Sequence, residues 1–504
     1  MPFTARVILT LSLAGVAATA VLAAAPERTD LTAEDRARVA AVTTPASDFA
    51  EPERFENMQG GAGTSTKLPN RDAFSHFSAN LTFAEEETFK LGNALFRKQW
   101  VAPPSSTQAS DGLGPLFNAR ACQNCHLKDG RGRPPAPGEP AVSMFLRLAR
   151  PAATDAEMAE IRDFLTANHP DPIYGAQLQT AAVPGLQAEG TLSIEYEEVP
   201  VTLGDGTEVS LRKPTYSVSD PAYGPLDEAT TLSPRVANPM IGMGLIQAIH
   251  PADLFAHADP EDADGDGISG RVALARGHRD DAPRIGRFGW KAQSASVREQ
   301  SAEAFAGDLG ISSPDAPRPH GDCSAAQVDC LAMPTGEQTD LGEGEAPEDV
   351  MALVTFYSEN LAVPARRDVD DPEVLRGKQM FYDAGCTSCH TPKFVTSREA
   401  ENPAHAFQLI WPYSDFLLHD MGEGLADGQE VGVADGQEWR TQPLWGIGLT
   451  ETVSGHTQFL HDGRARSLQE AILWHGGEAQ AARDRYAELP KADRDALIRF
   501  LESL

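Results

Sequence analysis

Two five-residue stretches constrain this 504-residue chain more than any other feature: Cys122-Gln-Asn-Cys125-His126 and Cys386-Thr-Ser-Cys389-His390. In Cys-x-x-Cys-His the two thiols are spaced to bond covalently to the two vinyl groups of a haem. The adjacent imidazole then reaches the iron as an axial ligand. A single copy in a long chain arises by chance or as a redox Cys-x-x-Cys. Two complete copies in one chain leave little room for that reading. A zinc site from four cysteines is the other chemistry open to these residues, and the His closing each copy argues against it. The pattern predicts two covalently bound haem c groups, with Cys122, Cys125, Cys386 and Cys389 as attachment points and His126 and His390 as proximal ligands.

Each motif follows an apolar stretch of helical spacing. Gly92-Asn-Ala-Leu95-Phe96 and Gly377-Lys-Gln-Met380-Phe381 form a weak internal repeat upstream of their cysteines, which suggests two modules of one kind. Helices are expected over 81–100, 346–361, 374–382 and 493–504. Residues 190–220 change period: Leu192, Ile194 and Tyr196 alternate, then Val199, Val201 and Leu203, before Gly204-Asp205-Gly206 turns the chain into Val209 and Leu211. That is a hairpin signal. The expected fold is therefore mainly α, two cytochrome-c-like helical haem domains with a β-hairpin-containing insertion in the first. A signal peptide is expected at 1–25, an irregular N-terminal arm rich in Ala, Pro, Glu, Gly and Thr at 26–70, the first haem domain at 71–364 and the second at 365–504.

Arg6 precedes an apolar run over 7–22 that ends in Ala23-Ala24-Ala25, the order of a secretory leader cleaved after Ala23 or Ala25. The run is short for a bilayer span, an uncleaved anchor being the alternative. No other segment is long and apolar enough to span once the leader is removed. The chain carries 42 Lys+Arg against 73 Asp+Glu, a formal net charge of −31. That balance excludes a nucleic-acid binder, which needs a basic footprint. It is compatible with a basic protein partner, or serves solubility alone. An acidic, exported chain points to a bacterial periplasm. Cys323 and Cys330 are expected to pair there as a local disulfide.

The chain resembles the di-haem oxidoreductase family within the bacterial di-haem cytochrome c peroxidase superfamily. The resemblance rests on Phe288-Gly-Trp290-Lys, on Leu418-His419-Asp420-Met421-Gly422-Glu-Gly424-Leu425-Ala426-Asp427-Gly428, on Phe459-Leu460-His461-Asp462-Gly463-Arg464, and on Ala471-Ile-Leu-Trp-His475-Gly476-Gly477-Glu478. Against the small peroxidases only the haem cores match, residues of about 147–230 being largely an insertion. In those enzymes a Met fourteen residues after the His of His-Asp-Gly ligates the C-terminal haem. The same count from His461 lands on His475. The resemblance thus implies His475 as distal ligand of the His390 haem, with Met421, His419 and His461 as rivals. His in place of Met would lower the potential. The separation of Trp290 from Gln300 matches a peroxidase pair, a Trp between the haems and a Gln over the reactive one. Asp308-Leu309-Gly310 resembles the acid that completes that site. The movable His that many relatives carry after the first motif is missing between Lys128 and Arg150, where Met144 is the only obvious ligand atom. Met240 and Met243, in a stretch that matches the peroxidases, could line the pocket or sit in the core. The His126 haem is therefore expected to be five-coordinate or water-bound and able to take an oxidant.

Asp262-Ala-Asp264-Gly-Asp266-Gly267 is the front of a calcium loop, but its twelfth position is Ala273 rather than Glu, so an Asp-Gly surface turn is the competing reading. The functional expectation is reduction of hydrogen peroxide or another oxidant with electrons from a small cytochrome c or cupredoxin. Two alternatives remain at this stage: oxidation of a protein or organic substrate through high-valent iron, and a non-catalytic electron carrier or redox sensor.

Overall fold

The structure is a computed structural model that describes residues 26–504 except 280, 281 and 339; the leader expected over 1–25 lies outside the described residues. In the arm, α1 (Ala33–Thr43) is capped by the Thr32 side chain, which accepts from Asp35 N. The arm is held to the body by buried charges, Arg28 pairing with Asp253 at 2.6 Å and Lys378 with Glu53 at 2.8 Å.

α2 (Phe83–Phe96) starts at a capping box in which the Thr82 and Glu85 side chains each bond the other's backbone N–H. β1 (Met144–Ala149), β2 (Thr191–Thr202), β3 (Glu208–Ser219) and β4 (Thr231–Val236) follow, with β2 pairing antiparallel to β3 and β1 to β4. After them come α3 (Val297–Asp308), α4 (Glu348–Glu359), α5 (Pro372–Asp383) and α6 (Lys491–Ser503). The alternating stretch over 190–220 forms its hairpin, with the turn at Gly204-Asp205-Gly206 and Gly206 at positive φ.

The mainly α, cytochrome-c-like expectation does not hold. Helix accounts for 30% and strand for 16%, so most of the chain is neither. The described residues carry six separate two-stranded ladders rather than one sheet. The reason lies in the punctuation of the chain. With 43 Gly and 37 Pro, periodic segments are interrupted before they lengthen, and the intervening chain closes turns and short ladders.

The repeat upstream of the motifs has a packing reason. α2 lies against α4 and α5 against α6. A Cβ at Gly92 would stand 2.2 Å from Leu353 O, and one at Gly377 would stand 1.9 Å from Ala496 O. Only glycine lets these helix backbones approach so closely. Four residues further on, Phe96 and Phe381 place their rings against His126 and His390, with centroids 6.3 and 6.1 Å apart.

The largest apolar cluster joins distant parts of the chain: Met144 and Leu146 from β1, Leu211 from β3, and Phe381, Trp439 and Phe500 from the C-terminal stretch. The hairpin is braced there by polar contacts as well, Tyr216 OH donating to Asp462 at 2.8 Å and Arg212 to Gly463 O at 3.0 Å. Cys323 and Cys330 form a disulfide, as expected from their spacing. Among the described residues no helix is long and apolar enough to cross a membrane.

Candidate functional site

Cys122–Cys125 forms one turn of helix, and His126 follows as its C-cap. His126 Nδ1 lies 2.8 Å from Asn238 O. A carbonyl only accepts, so Nδ1 carries the proton and the Nε2 lone pair is left for a metal. Burial pushes the His126 pKa down to about 4, which keeps the ring neutral at neutral pH.

The segment leading into this motif is stitched to the end of α3. Asn118 N and Ala119 N donate to Asp308 O at 2.8 and 3.1 Å. The Asp308 carboxyl accepts from Gln177 Nε2 at 2.8 Å, and the same amide nitrogen lies 2.6 Å from Asn118 Oδ1. Burial raises the proton affinity of Asp308, and its charge in turn helps raise the Cys122 and Cys125 thiols. Asp308 is thus beside the first motif. Gln300 is two turns earlier on the same face of α3 and lines a separate cavity, its Oε1 buried without a hydrogen-bond partner.

The second motif repeats the proximal arrangement. His390 Nδ1 lies 2.8 Å from Tyr413 O, and burial pushes its pKa down to about 4. It borders a cavity of ≈ 320 Å³ whose walls include Cys386, Cys389, Met421, His461 and His475. His475 Nδ1 lies 2.8 Å from Ala471 O, so its Nε2 is also unprotonated and free. Burial lowers its proton affinity, and His475 is close enough to His390 to disfavour a charge there. The rival ligands differ. His419 has Nε2 2.8 Å from Asp415 and Nδ1 2.7 Å from Glu478. Burial opposes its charge, yet the two carboxylates hold it protonated well above the ordinary imidazole range, with no lone pair to offer. The His461 ring is stacked on Trp439, with centroids 3.9 Å apart and planes 10° off parallel. Met421 also lines the cavity and packs against the main apolar cluster.

Trp290 links the two places. It lines the His390 cavity, and its Nε1 donates to Val236 O at 2.9 Å, two residues before the Asn238 carbonyl that holds His126. Its ring stands edge-on to Trp439 at 6.5 Å and to His461 at 6.3 Å. The four motif cysteines form no disulfide. Each pair therefore offers free thiols beside a neutral imidazole whose Nδ1 is anchored on a carbonyl, and this donor set fits a haem at each motif. A family model described as "Di-haem oxidoreductase, putative peroxidase" matches residues 55–504. The chain belongs to this family. No curated protein matches the chain.

Other residues of this di-haem oxidoreductase fall where sequence reading could not place them. Met144 is fully buried in the apolar cluster, and Met240 and Met243 pack against core residues. The acidic loop is exposed. The carboxylates of Asp262 and Asp264 converge with that of Asp259, while Asp266 stands outside this group. Asp262 accepts from Gly267 N, Asp264 from Asp266 N and Asp266 from Ile268 N, so these side chains cap the loop's own amides. Sequence reading missed Gln177, Trp439, Asp415 and the Asp129–Tyr357 pair. Asp129, three residues after His126, accepts from Tyr357 OH at 2.6 Å and Ser75 Oγ at 2.5 Å, and burial raises its pKa to about 6. Its closeness to the motif was the one signal available. Gln177 and Trp439 stand in no recognisable pattern.

Proposed function

We propose that this di-haem oxidoreductase is a c-type peroxidase that reduces hydrogen peroxide at the N-terminal motif, with electrons entering through the C-terminal one. The observation that carries the reading is an asymmetry. His390 shares its cavity with a second neutral imidazole, His475, whereas the group found near the cysteines of the first motif is a buried carboxyl, Asp308. A site with protein ligands on both faces suits electron transfer; a site with one open face suits an incoming oxidant. Covalently bound haems would supply the redox-active iron.

The residues then divide the work. Peroxide takes up two electrons and two protons to give two waters. Asp308, whose burial favours the protonated form, carries a proton from one peroxide oxygen to the other. Gln300 is assigned to orienting the oxidant on the family resemblance, its Oε1 being buried without a hydrogen-bond partner in the cavity beside α3. Trp290 offers an aromatic path from the His390 cavity to the segment holding His126. The donor in this reading is a small cytochrome c or cupredoxin, basic enough to be drawn to a chain of net charge −31. The leader-like residues 1–25 support export to the periplasm.

Stopped-flow mixing of the reduced holoprotein with peroxide tests the assignment. Losing a positioned acid–base group costs about 10²–10⁴-fold in rate. Asp308→Asn is therefore expected to slow peroxide turnover within that range while the haem content by denatured mass stays at two additions. Wild-type rates in Asp308→Asn and Gln300→Leu together would overturn the pocket, and a single haem addition in the wild type would overturn the cofactor assignment.

A further inference from the structure

The carbonyl that holds His390 belongs to a residue with an unusual backbone. Tyr413 sits at φ +51°, in the left-handed region that bulky residues rarely adopt. Its carbonyl accepts from His390 Nδ1 at 2.8 Å. Its side chain is fully buried against the rings of Phe381 and Phe500, at 5.9 and 5.6 Å, and its OH stands 3.5 Å from Glu56 Oε1. A backbone held in this region persists only where its surroundings fix it.

Those surroundings are ionic. Glu56 pairs with Lys378 at 2.8 Å and with Arg366. Glu53 pairs with Lys378 at 2.8 Å and with Lys393, and its backbone N–H donates to the second Glu56 oxygen at 2.8 Å. Lys393 also donates to Thr44 O at 2.7 Å, and Arg366 to Ser503 Oγ at 3.1 Å. Glu56, Lys378, Lys393 and Arg366 are each at most 4% exposed. Burial opposes the charge of Glu56, yet Arg366 and Lys378 hold its proton affinity below the ordinary carboxyl range. The two acids come from the N-terminal arm, and the three cations from α5 and the segments on either side of it. None of the five lines the cavity that borders His390, so a haem seated in that cavity leaves the cluster in place.

The charges do not balance. Lys378, Lys393 and Arg366 face only Glu53 and Glu56, an excess of one positive charge. The donors left over agree with it: Arg366 Nη2 and Trp411 Nε1 are buried without an acceptor. Away from water an excess charge is felt more strongly than at the surface. Reduction removes one positive charge from an iron centre, so a fixed positive charge nearby favours the reduced form. A distal imidazole works the other way, favouring ferric iron more than a thioether does.

We propose that Glu53 and Glu56 of the arm, with Lys378, Lys393 and Arg366, are positioning residues of the C-terminal haem. They hold Tyr413 in the conformation that anchors His390, and their net positive charge raises the midpoint potential of that haem against the pull of two imidazoles. The arm is thereby a working part of the electron-entry site. The inference rests on the reading of the C-terminal motif as the electron-relay haem, and not on which oxidant is reduced at the other.

Spectroelectrochemical titration of the full haem-loaded protein tests this without peroxide or donor. Glu56→Gln removes a negative charge and is expected to raise the midpoint of the low-spin haem. Lys378→Met removes a positive charge and is expected to lower it, while the midpoint of the other haem stays at its wild-type value in both. A merely structural role would move both variants the same way, because loosened packing admits water, which favours the ferric form in each. Should either variant fail to load haem, Glu53→Gln and Lys393→Met carry the same pair of signs. Shifts of one sign in the acid and the cation variant, or wild-type midpoints in both, would overturn the inference. Loss of peroxide turnover with the opposite shifts intact would overturn the peroxidase reading alone. A wild-type chain without haem on the peptide that carries Cys386 and Cys389, read by peptide mass, would overturn both.

Discussion

At the scale of single residues, the three imidazoles proposed as haem ligands follow one rule. His126, His390 and His475 each turn Nδ1 onto a backbone carbonyl, of Asn238, Tyr413 and Ala471. Such an anchor sets the tautomer and the ring orientation before any metal arrives. It also separates His475 from His419, which lies in the same cavity but has a carboxylate on each nitrogen. His475→Ala is accordingly expected to convert the C-terminal haem from low spin to high spin or to a substitute ligand, visible by EPR of the oxidised protein. An unchanged low-spin signal in His475→Ala, together with an altered one in Met421→Ala, would transfer the ligand role to Met421. The offset from His461, read through the family resemblance, pointed to His475, and the structure puts it in the His390 cavity. The carbonyls were not legible in the sequence, because every residue carries one and no side-chain pattern marks which is used.

At the scale of elements, the two helix pairs explain why a weak repeat survives in otherwise different surroundings. In both, glycine admits the partner helix and a Phe one turn later reaches the ring of the motif histidine. Forcing extra atoms into a well-packed contact costs about 1–3 kcal/mol, sometimes more. Gly92→Ala and Gly377→Ala each meet a backbone oxygen, which cannot rotate away, so each is expected to reach the upper part of that range. Thermal unfolding of the holoproteins should show a lowered midpoint for both, and Gly377→Ala should also broaden the C-terminal haem's low-spin signal. A midpoint equal to wild type in both variants would mean that the helix crossings are looser than the structure has them.

At the scale of the whole molecule, stability depends on buried carboxyl groups whose signs can be worked out. Glu189 is fully buried and accepts from Gln179 N and Gln327 Nε2, both at 2.6 Å. Burial raises its pKa from 4.5 to about 8. The folded state therefore keeps a proton that the unfolded chain releases, and the contribution of this group to stability is lost as pH rises from about 4.5 to about 8. Glu345, raised to about 7, acts in the same sense, while Asp462, held down to about 2, loses its contribution only in acid. Glu189→Gln cannot ionise. Urea unfolding at pH 5 and pH 8 should show a smaller fall in midpoint for this variant than for the wild type, and parallel falls would assign the dependence to other groups.

What the sequence determined by itself was local: the two Cys-x-x-Cys-His motifs, the helices before them, the hairpin over 190–220 and the Cys323–Cys330 disulfide. Each depends on spacing within a few residues, or on a repeat of period two or 3.6, and such signals need no partner from elsewhere in the chain. The balance of helix, strand and irregular chain was decided only in the folded molecule, where short ladders such as β1 with β4 join segments about ninety residues apart. The same holds for the contact of Gln177 with Asp308, the stacking of Trp439 on His461 and the pairing of Glu56 with Lys378. These pairs are made by tertiary packing between strands, loops and helices distant in sequence. No periodicity along the chain records which distant residues packing will bring together.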